Sequence, residues 1–241
     1  MRKCISFCIK HKLVLLADEV YQDNIYVDSV KFVSFRKAAL DMGKEAENLQ
    51  LISFHSVSKG YFGECGRRGG YMQVMGFDEE VHAQLVKLWS INLCSNIDGQ
   101  ITLDIMVNPP KKGEPSYELY TQEKNAILES LKKRRSELCS ALSKLPGISC
   151  TPADGSMYVF FKVILPESVI QEAAKRGVTP DYLYCEELLN CTGIVTVPGS
   201  GFHQKEGTYH VRTTFLPPED QMESVIRRMT SFQTYFMEKY Q

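Results

Sequence analysis

The chain has 241 residues, 44% hydrophobic, 24% charged and 10% aromatic, an ordinary globular composition that excludes collagen-like, low-complexity and disulfide-scaffold classes. Lys and Arg total 28 against 29 Asp and Glu, for a net charge of −1, so no general attraction for nucleic acid or a membrane surface is built in. At this length one large domain or two small ones are expected.

Taken in chain order, residues 4–12 read as the end of a helix with Ile5, Cys8 and Ile9 on one face. The apolar run 13–17 ends in acids, the pattern of a strand buried on both faces of a parallel sheet. Leu51-Ile52-Ser53-Phe54 repeats that pattern, and the polar segment Arg36 to Asn48 between them predicts a short helix. Residues 69–76 make a glycine-edged third strand, followed by a helix over about 78–92 with Asp78 as its N-cap. Gly99 to Val107 reads as another helix, and Asn108-Pro109-Pro110 breaks it. A long helix runs from Ser116 to about Leu145 and stops at Pro146-Gly147.

Beyond Gly147 the pattern predicts a strand over Ser156–Val163 and helices over Glu167–Arg176 and Pro180–Asn190. A short strand over Ile194–Val197, a glycine-rich turn, a strand over Tyr209–Leu216 and a helix over Glu219–Tyr240 complete the chain. Strands alternating with helices in the first half predict a parallel α/β sheet, and the second half a smaller α+β domain.

The eight cysteines form no CxxC pair, which argues for reduced, buried thiols in an intracellular compartment. The five histidines lack metal-ligand spacing, so no metal site is expected. Apolar runs fall far short of the ~20 residues of a membrane span. Lys10, His11 and Lys12 interrupt what would be a signal-peptide core. Met72 and Met75 read as core filler, and Lys132-Lys133-Arg134-Arg135 as the solvated face of the long helix.

Three motifs carry chemistry. Ser56-Val57-Ser58-Lys59 follows a buried strand, where open parallel sheets bind ligands. A lysine there can form a Schiff base and the hydroxyls can hold a phosphate, although the same letters also describe a solvated turn. Asp18, at the end of the first strand, can keep a heterocyclic nitrogen protonated, with Tyr21 three residues on; solvated acids beside a core tyrosine give the same pattern. Gly66-Arg67-Arg68-Gly69-Gly70 lets backbone approach a ligand and offers a guanidinium to phosphate, or else forms a basic hairpin.

In order and spacing these motifs resemble the pyridoxal-phosphate aminotransferases of fold type I, in which Asp-x-x-Tyr precedes Ser-x-Ser-Lys and Gly-x-Arg-x-Gly. The resemblance implies a large cofactor domain with a mostly parallel sheet over 1–115, a connecting helix over 116–146 and a small α+β domain over 147–241. It implies that Lys59 carries pyridoxal 5'-phosphate as a Schiff base and moves the proton. Asp18 would pair with the ring nitrogen, Tyr21 with the ring oxygen, and Ser56, Ser58 and Arg68 with the phosphate. Counting eight residues from Lys59 lands on Arg67, whereas the glycine frame selects Arg68. His210-Val211-Arg212-Thr213-Thr214 matches the strand whose arginine, here Arg212, clamps the substrate carboxylate.

The segments around Asp18–Asn24, Gly60–Cys65, Asn108–Pro110 and Val197–Phe202 resemble the alanine aminotransferase branch. That branch implies amino-acid and 2-oxo-acid substrates (alanine with 2-oxoglutarate), a homodimer when full length, a cytoplasmic or mitochondrial location, and no nucleic-acid or membrane partner. A lyase-type enzyme on the same fold, and a truncated chain that only pairs with full-length subunits, are the alternatives. Several family segments would lie before residue 1, so the expectation is a fragment or truncated isoform with exposed sheet edges.

Overall fold

The computed structural model describes all 241 residues, which divide into two compact units, 1–124 and 125–241. Unit 1 contains α1 (Arg2–Lys10), β1 (Leu15–Asp18), α2 (Phe35–Met42), β2 (Leu51–Ser56), β3 (Gly70–Met75), α3 (Glu79–Ser90) and α4 (Ile97–Val107). The long helix α5 (Tyr117–Leu142) starts here and continues into unit 2.

Strand order in unit 1 is β1-β2-β3. β1 and β2 run parallel, with Leu15 opposite Leu51 and Asp18 opposite Phe54. β3 returns antiparallel, Ser56 opposite Gly70, so the third strand departs from the parallel pairing of β1 and β2. The reason is local. A parallel return needs a crossover, usually a helix, whereas residues 57–69 hold only turns and one short 3₁₀ segment, Cys65–Arg67.

α1 and α2 cover one face of this sheet, and Ile5, Cys8, Ala17, Ala39, Leu49 and Leu51 pack there. The Ser34 hydroxyl accepts from the Lys37 N–H at 3.0 Å and fixes the start of α2. Glu19 accepts from the Phe35 N–H at 2.7 Å, joining the end of β1 to the same helix. β1 is buried on one face only, against expectation: Ala17 is buried while Leu16 is 62% exposed, because strand side chains alternate and helices lie on one side. Met75 packs on this core but Met72 lines an open groove instead.

Unit 2 holds the second half of α5, β4 (Ile148–Ser149), β5 (Tyr158–Val163), α6 (Glu167–Arg176), α7 (Pro180–Thr192), β6 (Val197–Pro198), β7 (Tyr209–Thr214) and α8 (Glu219–Lys239). Its sheet is antiparallel throughout, ordered β4-β5-β7-β6. β5 alternates cleanly, with Val159, Phe161 and Val163 buried. Pro180 opens α7, and α6 and α7 both end on left-handed glycines, Gly177 and Gly193. Gln233, fully buried on α8, accepts from the Tyr184 hydroxyl at 2.7 Å and donates to the Pro146 carbonyl at 2.7 Å, so its burial leaves neither polar end unpaired.

Two further expectations change. The basic run on α5 is not simply a solvated face. Lys133 pairs with Glu219, Arg134 donates to the Leu216 and Pro217 carbonyls, and Arg135 donates to the Ala153 carbonyl. The thiols are all free, but Cys4, Cys65, Cys94 and Cys191 are exposed rather than buried. No helix is long and apolar enough to cross a membrane.

Phe161→Ala is expected to cost about 3–5 kcal/mol, because it empties the centre of unit 2. Phe160→Ala, on the opposite face of β5, is expected to cost about 1 kcal/mol through lost ring stacking. Urea unfolding followed by circular dichroism separates the two.

Candidate active site

Parallel pairing makes β1 and β2 end at the same edge of the unit 1 sheet, and the catalytic candidates gather there. Asp18 is the last residue of β1; the next N–H, of Glu19, donates to the Phe54 carbonyl at 3.0 Å. Ser56 is the last residue of β2 and lies opposite Gly70, the first of β3. Antiparallel return therefore sets the arginine loop beside the lysine loop.

The lysine loop is closed by its own backbone. Val57 N–H donates to the Gly69 carbonyl at 3.1 Å, Glu64 N–H to the Val57 carbonyl at 2.9 Å, and Gly63 N–H to the Lys59 carbonyl at 3.3 Å. Gly60 takes a left-handed φ of +68° against the Asn24 side chain, a conformation that favours glycine. Lys59 stands exposed on this loop with no carboxylate in ion-pairing range. The Ser56 hydroxyl accepts from the Ser58 N–H at 3.2 Å, which leaves its own proton to donate. The Asp18 carboxylate, also exposed, accepts only from the Val20 N–H at 3.3 Å and has no cationic partner. Tyr21 is half-buried in the turn directly after β1.

The two arginines divide their work. Arg67 faces Glu64 at 3.8 Å and Asp98 at 3.6 Å. Arg68 sits in a left-handed conformation, φ +54°, donates to the Cys65 carbonyl at 2.8 Å and makes no ion pair. Its remaining donors are open to an anion. The loop is held against the start of α4 by the Asn96 amide, which donates to the Arg67 carbonyl at 2.6 Å. Space there is minimal: a Cβ on Gly69 would lie 2.5 Å from the Gly99 carbonyl oxygen, and one on Gly99 would lie 2.7 Å from that of Arg67.

Side chains behind the edge brace it. Lys124 pairs with Asp23 at 3.2 Å and lies 4.4 Å above the Tyr61 ring, whose hydroxyl meets that of Tyr120 at 2.6 Å. Burial and that hydrogen bond raise the Tyr61 pKa far above its usual value. Burial also lowers the His55 pKa, against the opposing pull of Asp23 and Asp18, and its Nδ1 is buried without a partner.

Arg212 lies at the centre of β7 in unit 2. Its guanidinium sits between the Tyr158 ring, at 4.6 Å, and the Phe202 ring, at 4.7 Å, with no carboxylate paired to it. Aromatic faces orient the planar fork while leaving its edge for a carboxylate.

The structure thus gathers Asp18, Tyr21, Ser56, Ser58, Lys59 and Arg68 at one sheet edge and sets Arg212 in unit 2. Sequence reasoning missed Asn96 and Gly99, which seat the arginine loop, and Tyr158 and Phe202, which aim Arg212. An isolated glycine in an apolar helical stretch was the available signal for Gly99. The rings around Arg212 had none, being separated from it in sequence.

The family model for aminotransferase class I and II matches residues 1–229. The chain belongs to the class I and II aminotransferases. It is 50% identical over 241 residues to a probable mitochondrial alanine aminotransferase of Dictyostelium discoideum, covering 100% of this chain and 45% of that one. It is 51% identical over 239 residues to the mitochondrial alanine aminotransferase 1 of Arabidopsis thaliana, covering 99% and 44%. A glutamate–glyoxylate aminotransferase of the same plant is 44% identical over 241 residues, covering 100% and 50%. The chain spans about half the length of these aminotransferases. An alanine aminotransferase structure from Pyrococcus furiosus superposes with a TM-score of 0.76 at 23% identity, covering 97% of this chain and 52% of that one, which shows the shared fold.

Gly99→Ala is expected to destabilise unit 1 by about 1–3 kcal/mol through overpacking. Gly66→Ala, which has nothing within 4 Å of the added carbon, is expected to be nearly neutral by thermal melting.

His55 gives a pH prediction. Its folded pKa lies below the unfolded value of 6.5, so above that pH both states are neutral. As pH falls from 6.5 through the folded pKa, the unfolded chain takes up a proton that the folded chain resists, and stability declines. His210, shifted in the same direction by burial, adds to the decline. Urea midpoints between pH 8 and 5 should fall less steeply in His55→Gln than in the parent.

Proposed function

We propose that these residues belong to an alanine aminotransferase that uses pyridoxal 5'-phosphate to convert L-alanine and 2-oxoglutarate into pyruvate and L-glutamate. The observation that carries the reading is the meeting, at one sheet edge, of a free amine, a free carboxylate and a free guanidinium: Lys59, Asp18 and Arg68. Identity near 50% to alanine aminotransferases over essentially the whole chain supports the choice of substrate.

The donor set fits the cofactor. An aldehyde needs an unpaired amine, a pyridine nitrogen needs an unpaired carboxylate, and a phosphate needs hydroxyls and a guanidinium not already neutralised. When bound, the cofactor supplies an electron sink for the substrate Cα. Lys59 would hold the cofactor through its amine, and that amine would move the proton at the substrate Cα. Asp18 holds the proton on the ring nitrogen. Tyr21 donates to the ring oxygen. The Ser56 and Ser58 hydroxyls and Arg68 hold the phosphate. Arg212 takes the substrate α-carboxylate in its fork. In this reading residues 1–115 are part of the cofactor domain, 116–146 the connecting helix, and 147–241 the small domain. A homodimer of the full-length enzyme and a mitochondrial or cytosolic location accord with the family and with the relatives' names.

The test is cofactor attachment. After incubation with pyridoxal phosphate and reduction with borohydride, peptide mapping is expected to find one phosphopyridoxyl group, on Lys59, lost in Lys59→Ala. Arg68→Ala should weaken uptake about 10-fold to 100-fold, as for loss of a charged hydrogen bond, and Arg67→Ala much less. Labels scattered over many lysines would overturn the reading. Product analysis with 2-oxoglutarate or glyoxylate as acceptor then separates the alanine enzyme from the glyoxylate enzyme, and ammonia release would reveal a lyase.

A further inference from the structure

We propose that Cys139 and Cys150 are a hydroperoxide-sensitive thiol pair that closes into an intramolecular disulfide within unit 2. Cys139 lies near the C-terminal end of α5 and Cys150 directly follows β4. Their thiols lie close enough to perturb one another's ionisation. The backbone holds them together independently. The Ser143 hydroxyl bridges the Cys139 carbonyl, at 2.8 Å, and the Cys150 carbonyl, at 3.4 Å. Ile148 and Ser149, just before Cys150, are fixed opposite Val163 and Lys162 on β5. Arg135, one helical turn before Cys139, donates to the Ala153 carbonyl at 2.7 Å and anchors the segment after Cys150.

The pair is chemically asymmetric. The neighbouring Cys150 thiol, the Ala153 backbone and the Arg135 charge outweigh burial and bring the Cys139 thiol below its usual value. The Cys139 thiol beside it, with burial, pushes Cys150 up. Cys139 is therefore the nucleophile and Cys150 the resolving thiol. Cys139 is only 3% exposed, which favours an oxidant as small as hydrogen peroxide over glutathione disulfide.

The Cys139 thiolate attacks one peroxide oxygen, the O–O bond breaks, and a sulfenic acid and hydroxide form. The Cys150 sulfur then displaces the sulfenic oxygen, which leaves as water, and the S–S bond forms. In sum, two thiols lose two electrons and two protons, and one hydrogen peroxide becomes two waters. The bridge ties the end of α5 to the β4 edge of the sheet.

The experiment treats the 241-residue chain with one equivalent of hydrogen peroxide, blocks free thiols, and maps unreduced tryptic peptides. Cleavage at Lys144 separates the two cysteines, so the bridge is read as a linked peptide pair about 2 Da lighter than its two thiol peptides. The expected result is that this pair dominates, reverts with dithiothreitol, and raises the unfolding temperature while oxidised. In Cys150→Ser the linked pair should vanish and dimedone should trap a sulfenic acid on Cys139. Arg135→Gln should form the bridge more slowly. Oxidation confined to the exposed Cys4, Cys65, Cys94 and Cys191, or dimedone labelling of Cys139 that Cys150→Ser leaves unchanged, would overturn the proposal.

Discussion

One short return of the chain organises unit 1. After β2 the backbone has thirteen residues, 57–69, before it pairs again as β3. The Val57–Gly69 hydrogen bond and the Ser56–Gly70 pairing close that return, and both the lysine and the arginine ride on it. A longer crossover would have allowed a parallel strand and carried Arg68 away from Lys59. The antiparallel return is therefore the price of proximity, and Gly69 and Gly99 are glycines because no Cβ fits where this loop meets α4.

Charge is used in two ways at that edge. Asp23 pairs with Lys124, Glu64 and Asp98 share Arg67, and these contacts hold loops in place. Glu19 is spent on the N-terminus of α2. Asp18, Lys59 and Arg68 are left without ionic partners, which exposed positions tolerate because water solvates them. The edge thus divides its charges into structural ones, held in ion pairs, and available ones, left to solvent.

Unit 2 solves a different problem. Its antiparallel sheet buries one face under α7 and α8 through the Tyr184, Phe232 and Phe236 rings. On the other face of β5 and β7, Tyr158 and Phe202 hold Arg212 while Phe160 and His210 stack at 5.0 Å. Period-two alternation thus makes a single strand turn Val211 and Thr213 to the core and Arg212 to the opposite face. The basic residues of α5 act here as tethers: three long side chains reach across to carbonyls or to Glu219.

The sequence by itself determined most of the elements and the family. Helix bounds followed from apolar spacing and from Pro and Gly signals, and Glu167–Arg176 coincides with the observed α6. Asp18, Ser56, Lys59 and Arg212 could be named because each motif is local, and local motifs survive in one dimension. Only the tertiary structure decided the direction of β3, the exposure of Leu16, and which of Arg67 and Arg68 is ion-paired. Those depend on what lies across space: a return too short for a crossover helix, a sheet face with no helix over it, and the carboxylates of Glu64 and Asp98 within reach of one guanidinium but not the other.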